Sequence, residues 1–381
     1  RFNVGADVDL YGTGEVYGTL RRNGETEGFW NRDNGGYDHE NGKRLYQTHP
    51  WVLGVRADGS AFGILADNTW KSKLTTDNIV TFESYGPAFR TVVIEGKDPL
   101  DVLKQLTELI GTMPLPPLWS LGYQQCRFSY FPEARVREVA DEFRNRQIPC
   151  DVIWMDIHYM NEYRIFTFHP EGFPNPKETN DYLHSKGFKS VYMIDPAPKA
   201  ETGYFVDDQL MANDYYVRKA NGEPFVGNVW PGACHFPDFT RPEVRIWWSS
   251  LYKDFMAQGV DGVWNDMNEP AIFGGVDFSM PEDNVHLGGG GLIAGPHLRY
   301  HNQYGYNMVK ASYEGIRNAN PTLRPFVLSR ANCLGGQRYA ATWTGDNRSS
   351  WAHMTGSIPM TLNMGLSGQA MNGPDIGGFL D

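Results

Sequence analysis

Four aspartates could act together: Asp156, Asp266, Asp346 and Asp375 each stand just beyond a short, largely apolar run. The runs are Asp151 to Trp154, Val260 to Trp264, Ala340 to Trp343 and Gly368 to Met371, all suited to buried parallel strands. If they belong to one parallel barrel, their C-terminal ends converge on one mouth, where side chains from separate strands meet a single substrate. One Asp after a strand ordinarily caps a helix or forms a turn. Four of them, set in Trp-rich and Gly-rich loops, point to a site. Two carboxyl groups of different acidity suffice to cleave an acetal: one protonates the leaving oxygen, the other stabilises or captures the oxocarbenium-like centre. With the carboxyls about 5–5.5 Å apart, the second attacks carbon and configuration is retained. No His/Cys grouping and no H-E-x-x-H offers a metal site, so neither metal nor cofactor is expected.

The elements that must position these acids are legible from rhythm. Residues 1–112 alternate in short runs such as Trp51 to Val55 and Thr91 to Ile94, broken by Gly, Asn and Asp, which predicts an N-terminal β-sandwich. Met113-Pro114-Leu115-Pro116-Pro117 then forms a stiff connector. From 113 to 381 the chain alternates strand and helix. Beyond the four runs above, strands are predicted at Leu121 to Gln125, Lys189 to Ile194 and Phe326 to Leu328. Val136, Val139, Ala140 and Phe143 mark an amphipathic helix. Thr240-Arg241-Pro242-Glu243 resembles a capping box ahead of the stripe Val244, Trp247, Trp248, Leu251, Phe255, with Gly259 as the stop. An excursion at about 198–238 follows the third strand. The prediction is a (β/α)8 TIM barrel one strand short, with the chain expected to stop before its native end. A doubly wound sheet would need a Gly-rich phosphate turn after the first strand; Gly288 to Gly291 instead sits in a long loop and is expected to be a flexible connector.

Four segments then carry a family resemblance. Gly262-Val263-Trp264-Asn265-Asp266-Met267-Asn268-Glu269-Pro270 resembles the nucleophile signature of glycoside hydrolase family 31, the α-glucosidase family. Trp343-Thr344-Gly345-Asp346-Asn347, preceded by Gly336-Gln337-Arg338-Tyr339, is similar to its acid/base segment. Trp154-Met155-Asp156-Ile157-His158-Tyr159-Met160 and Pro374-Asp375-Ile376-Gly377-Gly378-Phe379 are similar to two sugar-binding segments. The resemblance implies a retaining, exo-acting α-glucosidase in which Asp266 attacks C1 and Asp346 is acid, then base. It implies that Asp156, Ile157, Trp230, Trp264, Met267, Trp343, Asp375 and Phe379 line the sugar pocket, with Asp33 leaning in from the sandwich. Arg338 is expected to reach both a sugar hydroxyl and the Asp266 carboxylate. Glu269 is read as a structural acid. A sugar-binding His expected after an eighth strand has no counterpart before Asp381, and Pro198 replaces a smaller or branched residue at one wall.

Composition excludes other classes. A net charge of −11 with no basic block argues against nucleic acid. No run of 18 apolar residues suggests a membrane span, and no targeting segment is visible. Cys126, Cys150, Cys234 and Cys333 are too scattered for a zinc or disulfide framework and are expected as buried free thiols. The expected partner is a small carbohydrate; compartment and oligomeric state stay open. An α-transglucosylase, an α-glucan lyase and a non-catalytic carbohydrate-binding homologue remain alternatives.

Overall fold

The computed structural model describes residues 1–381. Its centre is a parallel sheet of seven strands: β1 (Gln124–Gln125), β2 (Val152–Met155), β3 (Lys189–Ile194), β4 (Gly262–Asn265), β5 (Val327–Ser329), β6 (Ala341–Trp343) and β7 (Asn372–Gly373). They pair in chain order, β1 to β7, and every pairing is parallel. Helices α1 (Glu133–Asn145), α2 (Pro176–Ser185), α3 (Pro242–Met256), α4 (His297–Ala319) and α5 (Trp351–Leu366) lie in five of the six crossovers, and a 3₁₀ turn at Gly336–Arg338 lies in the sixth, from β5 to β6. Strands β2 to β4 are almost wholly buried because side chains cover both faces, which explains their unbroken apolar runs. One continuous core runs through this half of the chain, from Val136 on α1 to Trp343 on β6.

Register decides what reaches the mouth. Ile194 of β3 lies opposite Asn265 of β4, and Asn265 opposite Ser329 of β5. Side chains at matched positions of parallel neighbours point the same way. The next residues, Asp195, Asp266 and Arg330, therefore stand in one row at the carboxyl edge.

The N-terminal part is two four-stranded antiparallel sheets. Leu10, Val52, Phe62 and Ile64 of one meet Phe29, Leu74 and Val80 of the other. The outer face of the first sheet packs Trp51, Leu53 and Leu65 on Val102 and Leu106 of the helix Pro99–Ile110. The loop between its strands reaches the barrel: Gln47–Thr48 pairs in parallel with Asn332–Cys333. Two sheets thus form the expected sandwich, and the seven parallel strands form the expected incomplete barrel.

Several local expectations are corrected. The first strand is shorter than Leu121 to Gln125, because Leu118–Leu121 winds into a 3₁₀ turn held by the Ser120 hydroxyl on Pro117 O at 2.7 Å. The last lies four residues later than Gly368 to Met371, since α5 runs to Leu366 and Gly368 turns the chain with φ +90°. Thr240 is no helix cap: its hydroxyl donates to Asp238 at 2.5 Å, and Arg241 takes the N-cap position ahead of Pro242. The run Gly288 to Gly291 is a defined turn rather than a loose connector. All four have positive φ, Gly289 bridges to Leu292, and a Cβ on Gly288 would lie 2.5 Å from Leu292 O. The four cysteines are free, but Cys126 and Cys333 are only half-buried.

Candidate active site

The nucleophile candidate follows β4. Asp266 is 13% exposed at its side chain, and Met267 after it takes φ +55°, which turns the chain sharply at the strand end. The acid/base candidate follows β6. There Gly345 adopts φ +68°, and a Cβ would overlap the Tyr46 ring at 2.0 Å. The glycine lets the sandwich loop approach until the Asp346 N–H donates to the Tyr46 hydroxyl at 3.2 Å.

The cation between these acids is Arg330, the first residue after β5. It is 2% exposed, and its fork donates to both Glu269 oxygens at 2.8 and 2.9 Å. Its Nε stands 3.1 Å from Asp266 Oδ1, its Nη2 3.4 Å from Asp33 Oδ2 and its Nη1 4.0 Å from Asp346 Oδ2. One guanidinium therefore sits within ion-pairing reach of four carboxylates from three separate segments. Arg338, expected in this role, is elsewhere: its Nε donates to Gly335 O at 2.9 Å and its Nη2 to the Tyr306 hydroxyl at 2.6 Å. A 3₁₀ turn at Gly336–Arg338 points it towards α4 and the linking helix, where Gly111 packs on its stem.

Burial raises both candidates, and Arg330 opposes the rise in each. Burial pushes Asp346 up to about 7, with Arg330 opposing and Asp266, Asp33 and Asp375 adding to the rise. Burial also raises Asp266, but Arg330 stands nearer and the Met267 N–H opposes the rise as well. Such a pair of environments lets one carboxyl hold a proton while its neighbour ionises.

Three further acids face the same space. Burial raises Asp156 to about 8, with Asp266, Asp346 and Asp375 contributing, although its Oδ1 accepts the Ile157 N–H at 2.6 Å. Burial, then Asp266, raises Asp375 to about 6. Asp195, the first residue beyond β3, is fully buried with neither oxygen hydrogen-bonded, and burial followed by Asp266 pushes it well up. Arg330 and Asp195 were missed although both obey the rule that singled out the other acids: each is the first residue beyond a strand.

Aromatic rings wall the space. Trp264 stands edge-on to Trp154 at 5.9 Å and to Trp343 at 5.2 Å. Ile157 and Met267 are buried beside their aspartates. Trp230 caps the hairpin Val226–Val229/Gly232–His235, is 40% exposed and packs edge-on to Phe273 at 5.1 Å. Phe379 is exposed at the rim, its N–H donating to Asn347 O beside Asp346. Of the residues singled out, Asp33, Asp266 and Asp346 converge on Arg330, whereas Arg338 packs on Tyr306. No group of three or more His, Cys, Asp and Glu has a geometry that could hold a metal ion, and no helix is long and apolar enough to cross a membrane.

A raised folded-state pKa has a thermodynamic signature. Asp156 ionises near 4 when unfolded but near 8 when folded, so its contribution is full below pH 4 and falls as pH rises towards 8. Asp156→Asn removes that penalty. The variant is expected to gain stability over the parent as pH rises from 4 to 8, reaching on the order of 5 kcal/mol at pH 8. Chemical denaturation of both proteins at several pH values checks this; a pH-independent difference would contradict it.

The family described as "Glycosyl hydrolases family 31 TIM-barrel domain" matches residues 113–381, and "Glycosyl hydrolase 31 N-terminal galactose mutarotase-like domain" matches residues 1–74. Alpha-glucosidase 2 of Bacillus thermoamyloliquefaciens is 44% identical over 373 residues, covering 97% of this chain and 47% of that protein. Neutral alpha-glucosidase AB of Mus musculus is 36% identical over 414 residues, covering 99% and 43%. The crystal structure of a family 31 alpha-glucosidase from Bacteroides thetaiotaomicron superposes with a TM-score of 0.89 at 55% identity, covering 98% of this chain and 61% of that one. The chain spans less than half the length of these two curated relatives. A barrel match over 113–381, joined to relatives of this identity along nearly the whole chain, means that the chain belongs to glycoside hydrolase family 31.

Proposed function

We propose that this chain carries the catalytic mouth of a retaining, exo-acting α-glucosidase. Asp266 attacks the anomeric carbon as Asp346 protonates the glycosidic oxygen; Asp346 then deprotonates the water that releases the sugar. The observation that carries this reading is the shared cation: Arg330 lies 3.1 Å from Asp266 and 4.0 Å from Asp346. Two carboxyl groups from different strands within reach of one guanidinium, with Asp346 raised to about 7, suit a general acid beside a nucleophile whose ionised form Arg330 favours against burial. Asp156 and Asp375 are suited to bind sugar hydroxyls, and Trp264, Trp343, Trp230 and Phe379 to pack on its C–H faces. The two named relatives and the superposed structure are α-glucosidases, which supports glucose as the sugar.

The test is turnover of p-nitrophenyl α-glucoside by the intact protein, with the first-formed anomer read by NMR. The α-anomer is expected; β-glucose first, or sugar binding without release, would overturn the reading. The acid role has its own consequence. Activity should fall as pH rises through about 7, when Asp346 loses its proton. Asp346→Ala should abolish that limb and cost roughly 10²–10⁴-fold on maltose but little on activated aryl glycosides, whose leaving groups need no proton. Equal losses on both substrates would contradict the assignment.

A further inference from the structure

The proposed reaction leaves a second buried polar assembly unused. Asp238, at the end of the excursion, and His286, His297 and His301 are all inaccessible to solvent. His297 and His301 stand one turn apart on α4, on one face. The four side chains form an unbranched line. Asp238 Oδ1 is 2.9 Å from His286 Nδ1, His286 Nε2 is 3.0 Å from His297 Nδ1, and His297 Nε2 is 2.8 Å from His301 Nδ1. His301 Nε2 then meets the Asn31 carbonyl at 2.6 Å.

Proton count follows from the partners. Each of these four contacts needs one hydrogen, and a carbonyl has none to give. Asp238 also accepts the Leu287 N–H at 2.7 Å, the Thr240 N–H at 3.2 Å and the Thr240 hydroxyl at 2.5 Å, a donor set that suits a carboxylate and keeps it ionised despite burial. All four hydrogens therefore sit on imidazoles, whereas three neutral rings carry only three. One ring must be an imidazolium. The Ser279 hydroxyl, 3.1 Å from His301 Nδ1, has the Pro270 carbonyl as acceptor at 3.0 Å and replaces none of the four. Burial lowers His297 well below its ordinary value and His301 to about 3, and the carboxylate that touches the line, Asp238, does so at the His286 end. Facing the line from neighbouring elements are Tyr300 and Tyr304 of α4 against His286, and Trp30, stacked on His301 at 3.7 Å with Lys71 Nζ 4.9 Å from its ring centre. Asp277 is the remaining acid near His301 and is paired with Arg44.

The line ends on the sandwich loop that enters the mouth. Asn31 is gripped further by Asn302, whose Oδ1 accepts its N–H at 3.0 Å, and by Thr48, whose hydroxyl donates to its Oδ1 at 2.6 Å. Two residues on, Asp33 reaches Arg330. We propose that Asp238, His286, His297 and His301 form a charged latch, holding one proton more than three neutral imidazoles, which fixes the Trp30–Asp33 loop and so positions Asp33 against Arg330. The consequence for catalysis rests on the function proposed above; the proton count does not.

NMR of the intact protein with ¹⁵N-labelled histidines, at about pH 7.5, reads the count directly. The result expected is one ring with both nitrogens protonated, two neutral rings, and four slowly exchanging imidazole protons among the three. Asp238→Asn should reduce the four to three, because an amide can donate to His286. Three neutral rings in the parent protein would overturn the latch whether or not the protein turns over glucosides. Kinetics test the positioning. His301→Ala should raise KM about tenfold with kcat little changed, and His301→Gln, which keeps an N–H for the Asn31 carbonyl, should restore most of the loss. In an Asp33→Ala background His301→Ala should add nothing. Additive losses there, or equal losses in the Ala and Gln variants, would overturn the positioning role.

Discussion

Asp266→Ala is expected to lose turnover by on the order of 10⁴–10⁶-fold, the scale seen when a covalent nucleophile is deleted. Deleting a side chain that is mostly buried leaves a space behind the anomeric carbon while Asp346 and the aromatic walls remain. A small anion should therefore substitute. Azide would enter from the face the carboxylate vacates and yield the β-glycosyl azide, with configuration inverted relative to the substrate. Rescue with inversion distinguishes a missing nucleophile from a damaged fold, which azide could not repair. Loss of activity with no rescue and an unaltered denaturation midpoint would count against Asp266.

The second large effect concerns the cation. Arg330 is buried amid Glu269, Asp266, Asp33 and Asp346, so Arg330→Met removes the charge that holds them together. Two consequences follow from the sign of the change. Without the guanidinium Asp266 becomes a weaker acid, so the acidic limb of the pH–rate profile should move to higher pH, with kcat/KM down by about 10²–10³-fold at neutrality. Folding should also suffer by about 3–5 kcal/mol, because Glu269 is left buried and unpaired. Adding Glu269→Gln should recover much of that stability but little of the activity, which separates the structural charge pair from the role at Asp266. Arg338→Gln, by contrast, should change kcat/KM less than about twofold, since Arg338 bonds only Gly335 O and Tyr306.

That contrast marks where sequence reading reached its limit. The strands betrayed themselves through apolar runs because both sheet faces are covered, and residues just beyond them inherit the mouth through register alone. Asp156, Asp266, Asp346 and Asp375 are found by that rule, and so is Arg330 in Val327-Leu328-Ser329-Arg330. Gly336-Gln337-Arg338-Tyr339 offers a second arginine nearer Asp346 in sequence, and its local pattern carries no sign that a 3₁₀ turn aims Arg338 away from the mouth. Thr240 escaped for a related reason. A hydroxyl three residues before Glu243 satisfies the capping pattern, but Asp238 competes for it, and that competition arises only once His286 and Leu287 fold back onto the same carboxylate. The histidine line could not be seen at all. Its members lie up to 63 positions apart and end on a residue more than 200 positions earlier, so only tertiary packing aligns them.

The central claim is that Asp266 becomes covalently bonded to the sugar. A 5-fluoro-α-glucosyl fluoride incubated with the intact protein should inactivate it with time and leave one fluoroglucosyl group per molecule. Peptide mass spectrometry should place that group on Asp266 in the segment Gly262–Pro270. Label on Asp346, Asp156 or Asp195 in place of Asp266, or full inactivation with no covalent adduct, would contradict the account.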